Sequence, residues 1–533
     1  MVGGIVLPAA TDKEYAGRTT TVVVLACAVA ATGGLVFGYD LGISGLSLSW
    51  LTVLAFGFMF KSMSKKQGGV ISMDDFLQKF FPIVIVKKHS VHQNHYCKYD
   101  NQGLQAFTSS LYIAGLVSTL LASYITRRKG RRFTIIAGGL SFLIGSCLNA
   151  AAQNLDMLII GRIMLGVGVG FSNQAVPLYL SEMAPAKIRG GLNVMFQLAI
   201  SYGVLIANLI NYGTSKAKPW GWRLSLGLAA VPSSMLTFGS LLLSDTPNSL
   251  IERGYLKEGQ NVLQRIRGVS EVNVEFSDLV EASRLANQVK HPFQNILERR
   301  NRPQFTMALF IPFFQQMTGI NVITFYAPEF FQTIGFGSSS SLYSAVILGI
   351  FPIIGLKILI WKVDKWGRRG PFIWGGFLMF ICQVSIGSIL GIKFTGTSEL
   401  SKGWAVVIMI LMCIYVLGFI CSWGALGGLI PSEIFPLDIR PAGQSLNVSI
   451  QLFFIFAVAQ VFLSMFCHMR YGIFFFFGGW VAVMTIFVYL FLPETMNVPI
   501  EQMVHVWQQH WYWKKFFINN GDVSPNMDGE LKV

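Results

Sequence analysis

Charge is scarce in this chain. Only 13% of its 533 residues are Asp, Glu, Lys or Arg, about half the share usual in a soluble globular domain. Catalytic signatures are also missing. There is no Gly-x-Ser-x-Gly, no His-Glu-x-x-His and no phosphate-binding Gly-Lys-Thr loop, so hydrolase, zinc-protease and P-loop chemistry lack their usual carriers and the chain reads as a non-enzyme. The first 20 or so residues are mixed and polar, with Lys13, Glu14 and Arg18 ahead of the first apolar run, and show no cleavable signal peptide. Cysteine is sparse at seven residues. Cys27, Cys147, Cys382, Cys413 and Cys421 fall inside apolar runs and read as small packing residues.

What is present is apolar sequence. Hydrophobic residues make up 53% of the chain and the mean hydropathy is +0.54. They gather into stretches near 21–44, 104–126, 133–152, 157–180, 191–212 and 222–243, then near 304–332, 341–361, 371–392, 404–430, 441–466 and 471–492. Each is long enough to cross a bilayer as a helix. The fold class expected is an all-α membrane protein of twelve spans, six plus six. The charged stretch 244–303, with Glu252, Arg253, Lys257, Glu258, Arg265 and Arg267, reads as surface helices linking two halves. The divisions expected are a tail at 1–20, a first half at 21–243 with an insert at about 46–103, the linker, a second half at 304–492, and a tail at 493–533.

The net charge of +15 does not form a nucleic-acid surface. The basic residues sit in short runs such as Arg127-Arg128-Lys129-Gly130-Arg131-Arg132 beside apolar stretches, as cytoplasmic anchors do. The connections at 127–132, 186–189, 252–302, 362–369 and 440 share one side if each stretch crosses once. That side and both termini are then cytoplasmic, and 61–103 and 467–470 lie outside. The apolar run Leu46–Phe60 is short for a span; a thirteenth crossing there would put Arg127–Arg132 outside. It reads as an interfacial or re-entrant segment, or as an insertion.

Two signatures occur twice. Ser181-Glu182-Met183-Ala184-Pro185-Ala186-Lys187-Ile188-Arg189 returns as Ser432-Glu433-Ile434-Phe435-Pro436-Leu437-Asp438-Ile439-Arg440, offset 440 − 189 = 251. Arg128-Lys129-Gly130-Arg131-Arg132 returns as Lys365-Trp366-Gly367-Arg368-Arg369, offset 367 − 130 = 237. Internal repetition of this length marks a membrane protein built from two similar halves, the usual architecture of a carrier. Glu182, Arg189, Glu433 and Arg440 lie at cytoplasmic helix ends, where charge pairs between the halves would act as an inner gate; ordinary surface ion pairs look the same.

Ionisable groups within spans are costly and usually face a pathway with a partner. Asp40 closes the first apolar stretch and Arg162 opens the fourth. A carboxylate that alternately meets and leaves a guanidinium releases and takes up a proton, which is what proton coupling requires. A static ion pair locking two helices suits the same positions. Gln197, Gln315, Gln316, Asn321 and Gln451 are amides inside apolar helices, suited to the hydroxyls of a polyol or to interhelical bonding of about 1–2 kcal/mol. Beside them, Thr318-Gly319 is where a helix would break. Phe37, Phe325, Tyr326 and Trp423 offer flat faces for a sugar, though membrane helices are rich in aromatics in any case. Gly161, Gly166, Gly168 and Gly170 read as close-packing positions. His89, His92, His95 and Cys97 have spacing that zinc tolerates, but they read as polar loop residues, and no metal site is assigned. Lys357 reads as a side chain reaching for the cytoplasmic surface.

The repeated R-x-G-R-R and S-E-x-x-P-x-x-I-R elements resemble the sugar porters of the major facilitator superfamily. Finer matches resemble the plant monosaccharide–proton symporters, the sugar transport protein group. They are Phe37-Gly38-Tyr39-Asp40, Ser72–Leu77, Cys97–Gln105, Gln315–Asn321, Ile439–Gln444 and Pro493-Glu494-Thr495, so the likeness covers about 20–515. It implies the major facilitator fold and a proton-coupled monosaccharide importer, working as a monomer in the plasma-membrane bilayer with a co-transported proton and no cofactor. It implies Asp40 as proton acceptor with Arg162 its partner, sugar contacts from Gln197, Gln315, Gln316 and Asn321, a pocket shaped by Phe37 and Leu41, and a Cys97–Cys467 disulfide. The alternative is a non-transporting sugar receptor, or an uncoupled or inactive paralogue. Departures cluster in the second half: Pro352, Gln451 and Ile455 stand where the family has Asn, Asn and Thr, and Gly428 and Ala425 where it has Trp and Pro. The block Leu46–Gly68 has no family counterpart and reads as an insertion or a retained intron.

Overall fold

The computed structural model describes residues 20–44, 70, 73–84, 102–184, 189–214, 217, 219–288, 292–320, 350–360, 366–393, 401–435, 439–496 and 503–517. The insertion at Leu46–Gly68, the His89–Cys97 run, Asn321, Phe325 and Tyr326 lie outside them. So do the side chains of Arg189, Glu433 and Cys467. The proposed inner-gate pairs and the Cys97–Cys467 disulfide therefore fall beyond what the structure describes.

All the regular elements among the described residues are helices, because in hydrocarbon each N–H and C=O must find a partner within its own segment. The first half comprises α1 (Thr21–Ser44), the short α2 (Asp74–Phe80), α3 (Gln102–Lys129), α4 (Arg131–Ala151), α5 (Leu155–Met183), α6 (Arg189–Thr214), α7 (Gly221–Gly227) and α8 (Ala230–Leu242). The charged stretch forms α9 (Pro247–Glu252), α10 (Leu256–Arg267) and α11 (Asn273–Gln288), the surface helices expected there. Then follow α12 (Arg302–Met317), α13 (Ile350–Ile360), α14 (Arg369–Lys393), α15 (Lys402–Phe419), α16 (Ala425–Ile434), α17 (Arg440–Met469), α18 (Gly472–Phe491) and α19 (Met503–Gln509). Among the described residues, 10 helices are long and apolar enough to span a membrane, α7–α8 and α15–α16 each counting as one. α13 is flanked on both sides by undescribed residues, and α12 and α13 stand where the seventh and eighth apolar stretches predict spans.

Packing follows the duplication. In the first half α1 lies along α6, and α5 lies between α3 and α4. In the second half α14 packs on α15 and α18, and α3 against α17 joins the halves. Separate apolar cores fill them: one around Met307, Phe372, Trp423 and Met484, another around Phe142, Val169, Tyr179 and Leu236. Val448, Leu452, Ile455 and Ala459 of α17 belong to the core of the first half. A third cluster caps the end of the first half opposite the Arg127–Arg132 run, where Phe76 and Leu77 of α2 meet Tyr39, Phe107 and Trp222. The outward faces carry exposed Leu121, Phe238, Trp374 and Phe377, as surfaces against acyl chains do.

Candidate functional site

Asp40 and Arg162 are brought together by glycine-lined helix contacts. Gly34, Gly38 and Gly42 repeat every fourth residue on α1 and face Phe196, Ile200 and Val204 of α6. A Cβ on Gly38 would strike the Ile200 carbonyl, so the backbones touch there as small-residue stripes allow. On α5, Gly161 meets Asn149 of α4, and Gly166 meets Leu111 and Ala114 of α3. Arg162, between them, faces inward. Its Nη1 donates to Asp40 Oδ1 at 2.9 Å, with the two side chains 1% and 3% exposed. The guanidinium also lies 4.2 Å from the centre of the Phe107 ring, an aromatic face that favours a desolvated cation. Phe107 in turn contacts Phe76 of α2 at 5.5 Å. The α2 segment is thus linked to the ion pair through two rings. Composition and spacing gave no sign of Phe107's place, since aromatics abound in every span.

The amides divide. Gln315 near the end of α12 is 6% exposed. Its Nε2 donates to the Trp423 carbonyl at 3.0 Å and the Gly424 carbonyl at 3.1 Å. Those carbonyls are available because Ile420–Gly424 forms a π-helical turn between α15 and α16, which shifts them off the α-helical ladder. Gln315 Oε1 accepts from Gln451 Nε2 of α17 at 3.1 Å. Gln315 therefore ties three helices of the second half together. Gln316 is buried, Phe37 is 9% exposed, and Leu41 and Gln451 are half-buried. Gln197 faces the second half: a Cβ on Gly428 would find only its Nε2 within 4 Å, at 3.9 Å. One residue earlier, a Cβ on Gly427 would lie 2.9 Å from Gln315 Nε2. The break expected after α12 is present. Gly319 has φ +79°, and the Thr318 carbonyl accepts from Tyr415 Oη at 2.6 Å and Gln383 Nε2 at 2.7 Å. Trp423 is not a sugar-facing ring: it is 0% exposed and its indole donates to the Phe372 carbonyl at 3.2 Å. Cys147 is exposed, so the packing role does not suit it; Cys27, Cys382 and Cys413 are buried, and Cys421, half-buried, rests its sulfur against the Gly355 carbonyl at 3.6 Å.

At the basic end Glu182 takes its partners from its own half and from the linker. Arg131 donates to it at 2.8 Å, Thr246 bonds it as well, and Arg131 reaches on to Glu252 at 2.6 Å. A third repeat, unread in the sequence, appears here. Gly130 and Gly367 have φ +93° and +76°, a turn that aims the next two N–H groups at a carboxylate where a Cβ would stand. Asp245 accepts from the N–H of Arg131 and Arg132 at 3.2 and 3.3 Å. Glu494 accepts from the N–H of Arg368 and Arg369 at 2.7 and 3.0 Å. The offset, 494 − 245 = 249, lies close to the 251 of the Glu182/Glu433 repeat, and the signal was legible in Leu243-Ser244-Asp245-Thr246 against Leu492-Pro493-Glu494-Thr495. Among the described residues no three His, Cys, Asp or Glu side chains converge as metal ligands would.

Two pseudo-equivalent helical halves enclosing a buried ion pair and facing amides define a membrane carrier of the major facilitator type. The solved structure of the proton:xylose symporter XylE bound to 6-bromo-6-deoxy-D-glucose aligns with a TM-score of 0.75 at 23% identity, over 92% of this chain and 100% of that one. Residues 26–507 match the profile described as "Sugar (and other) transporter". "Sugar transport protein 7" of Arabidopsis thaliana is 56% identical across 100% of this chain and 99% of its own length. "Sugar carrier protein A" of Ricinus communis is 54% identical across 99% and 98%. The chain belongs to the sugar transporter family.

Proposed function

We propose that this protein is a proton-coupled monosaccharide importer working by alternating access. The observation that carries the reading is the Asp40–Arg162 pair, buried at 2.9 Å in a chain whose curated relatives are named for sugar transport. Sugar enters from outside with Asp40 protonated. The halves rock about the α3–α17 contact, the basic end opens, and Asp40 gives its proton to the inside as Arg162 closes on it. Gln197, Gln316, Gln451 and Asn321 meet sugar hydroxyls, with Phe37 and Leu41 shaping the wall; Gln315 contributes through its bond to Gln451. Glu182, Arg189, Glu433 and Arg440 belong to the inner gate, and Cys97 pairs with Cys467 on the outer side.

The halves are 21–243 and 304–492, linked by 244–303, with both tails cytoplasmic in the plasma membrane. The protein works as a monomer, needs no cofactor beyond the co-transported proton, and binds no nucleic acid. The basic runs at one end of the helices support this orientation. Uptake of radiolabelled hexose into proteoliposomes at two external pH values tests the proposal. Faster, concentrative uptake at the acidic value is expected. Sugar-dependent thermal stabilisation without uptake would select the receptor reading.

A further inference from the structure

Beyond the last span the chain folds back beneath it. The final carbonyls of a helix lack intrahelical partners, and here three side chains supply them. Arg369 donates to the Tyr489 carbonyl at 2.5 Å, Trp511 to that of Leu490 at 2.9 Å, and Trp513 to that of Phe491 at 2.8 Å. Trp507 and Trp513 are buried edge to face, 6.0 Å apart, which fixes the segment. Trp511 and Tyr489 remain 61% and 59% exposed.

This hook gathers cations. Arg299 of the linker donates to the Lys515 carbonyl at 3.1 Å, Arg302 lies 5.8 Å from the Phe516 ring, and Lys515 sits 3.6 Å over Tyr512. Arg299, Arg302, Lys514 and Lys515 are exposed, and neither they nor Arg369 pair with a carboxylate among the described residues. The neighbouring Glu494 is occupied by the N–H groups of Arg368, Arg369, Thr495 and Met496. Burial, and then the charge of Arg369, hold the His510 imidazole below its ordinary range, which disfavours a further positive charge there. Like charges with no carboxylate partner among the described residues, at the end of a span and beside exposed Trp and Tyr, match a membrane interface rather than open solvent. Guanidinium and ammonium groups together suit phosphate.

We infer that the hook formed by residues 503–517 with Arg299, Arg302 and Arg369 binds a phosphate-bearing anionic lipid headgroup on the leaflet at the basic end. The site rests on the end of the last span and is independent of the sugar reading.

The test uses the full-length purified protein in phosphatidylcholine nanodiscs with or without phosphatidylinositol 4-phosphate. Retained lipid is counted by native mass spectrometry. The wild type is expected to retain the anionic lipid in preference to phosphatidylcholine. K514A/K515A should weaken retention about fivefold per lysine, about 25-fold together. K514R/K515R should preserve it, which separates charge from misfolding, and K257A/R265A on α10 should leave it unchanged. Equal loss in K514A/K515A and K257A/R265A, or no preference over phosphatidylcholine, overturns the site. Binding of free inositol phosphate as tight as that of the lipid, or of an acidic peptide in its place, overturns the assignment to a lipid.

Discussion

Asp40→Asn separates the ion pair's two jobs. The substitution keeps an oxygen able to accept from Arg162 Nη1 at the observed 2.9 Å but removes the negative charge from beside a guanidinium that is 1% exposed, while the Phe107 face stays in place. Breaking a buried pair costs about 3–5 kcal/mol. The retained hydrogen bond and the ring place this variant near the lower figure, so a folded but less heat-stable protein is expected. Coupling is the sharper readout. With one proton carried per sugar, a gradient of one pH unit supplies about 1.4 kcal/mol, enough for about tenfold accumulation, and each 100 mV adds about 2.3 kcal/mol. In proteoliposomes with an imposed pH gradient and a clamped potential, the wild type should approach tenfold and Asp40→Asn should stop at equal concentrations while still exchanging labelled for unlabelled hexose. Tenfold accumulation by the variant would refute the assignment of Asp40. Loss of exchange in a folded variant would move Asp40 into the sugar pocket.

Four further substitutions probe the rest of the arrangement. Gly428→Trp should place an indole beside Gln197, across the 3.9 Å gap, and add an aromatic face of about 0.5–1.5 kcal/mol; a two- to tenfold lower hexose KM is expected, and an unchanged value argues that sugar does not pass Gly428. Gln451→Leu removes the donor to Gln315 Oε1 and leaves a buried acceptor unmatched at about 1–3 kcal/mol, so sugar affinity measured by thermal shift should fall at least fivefold, whereas unaltered affinity would make the bond a helix tie alone. Gly130→Ala and Gly367→Ala each force a Cβ into a carboxylate and a left-handed backbone at about 1–2 kcal/mol. Both should lower the melting temperature in detergent, and if only one does, the two turns are not equivalent.

The spans were legible because their signal is local. The stretch read as 471–492 is the helix Gly472–Phe491, and 104–126 is Gln102–Lys129; hydrocarbon leaves a spanning segment no conformational choice. The Asp40–Arg162 partnership was also legible, since two lone ionisable groups in apolar stretches have few alternatives. Gln315 was visible as an amide, but its partners depend on a π-helical turn more than a hundred residues away that no composition announces. The place of Trp423 was open for the same reason: an aromatic in a span gives no sign of whether it faces a pocket or a core. Asp245 and Glu494 carried a faint repeat, a carboxylate before threonine, that became visible only once both were seen capping the same glycine turn.

Sequence by itself determined the place and kind of the spans, the duplication, the basic end and the scarcity of buried charge, because each follows from hydropathy and spacing along the chain. Tertiary structure alone decided which groups meet: Arg162 with both Asp40 and Phe107, Gln451 with Gln315, Glu182 with Arg131, and the carboxy-terminal tryptophans with the last carbonyls of α18. Those contacts join segments distant in the chain, and their partners are selected by how helices pack, which the pattern along any one helix does not encode.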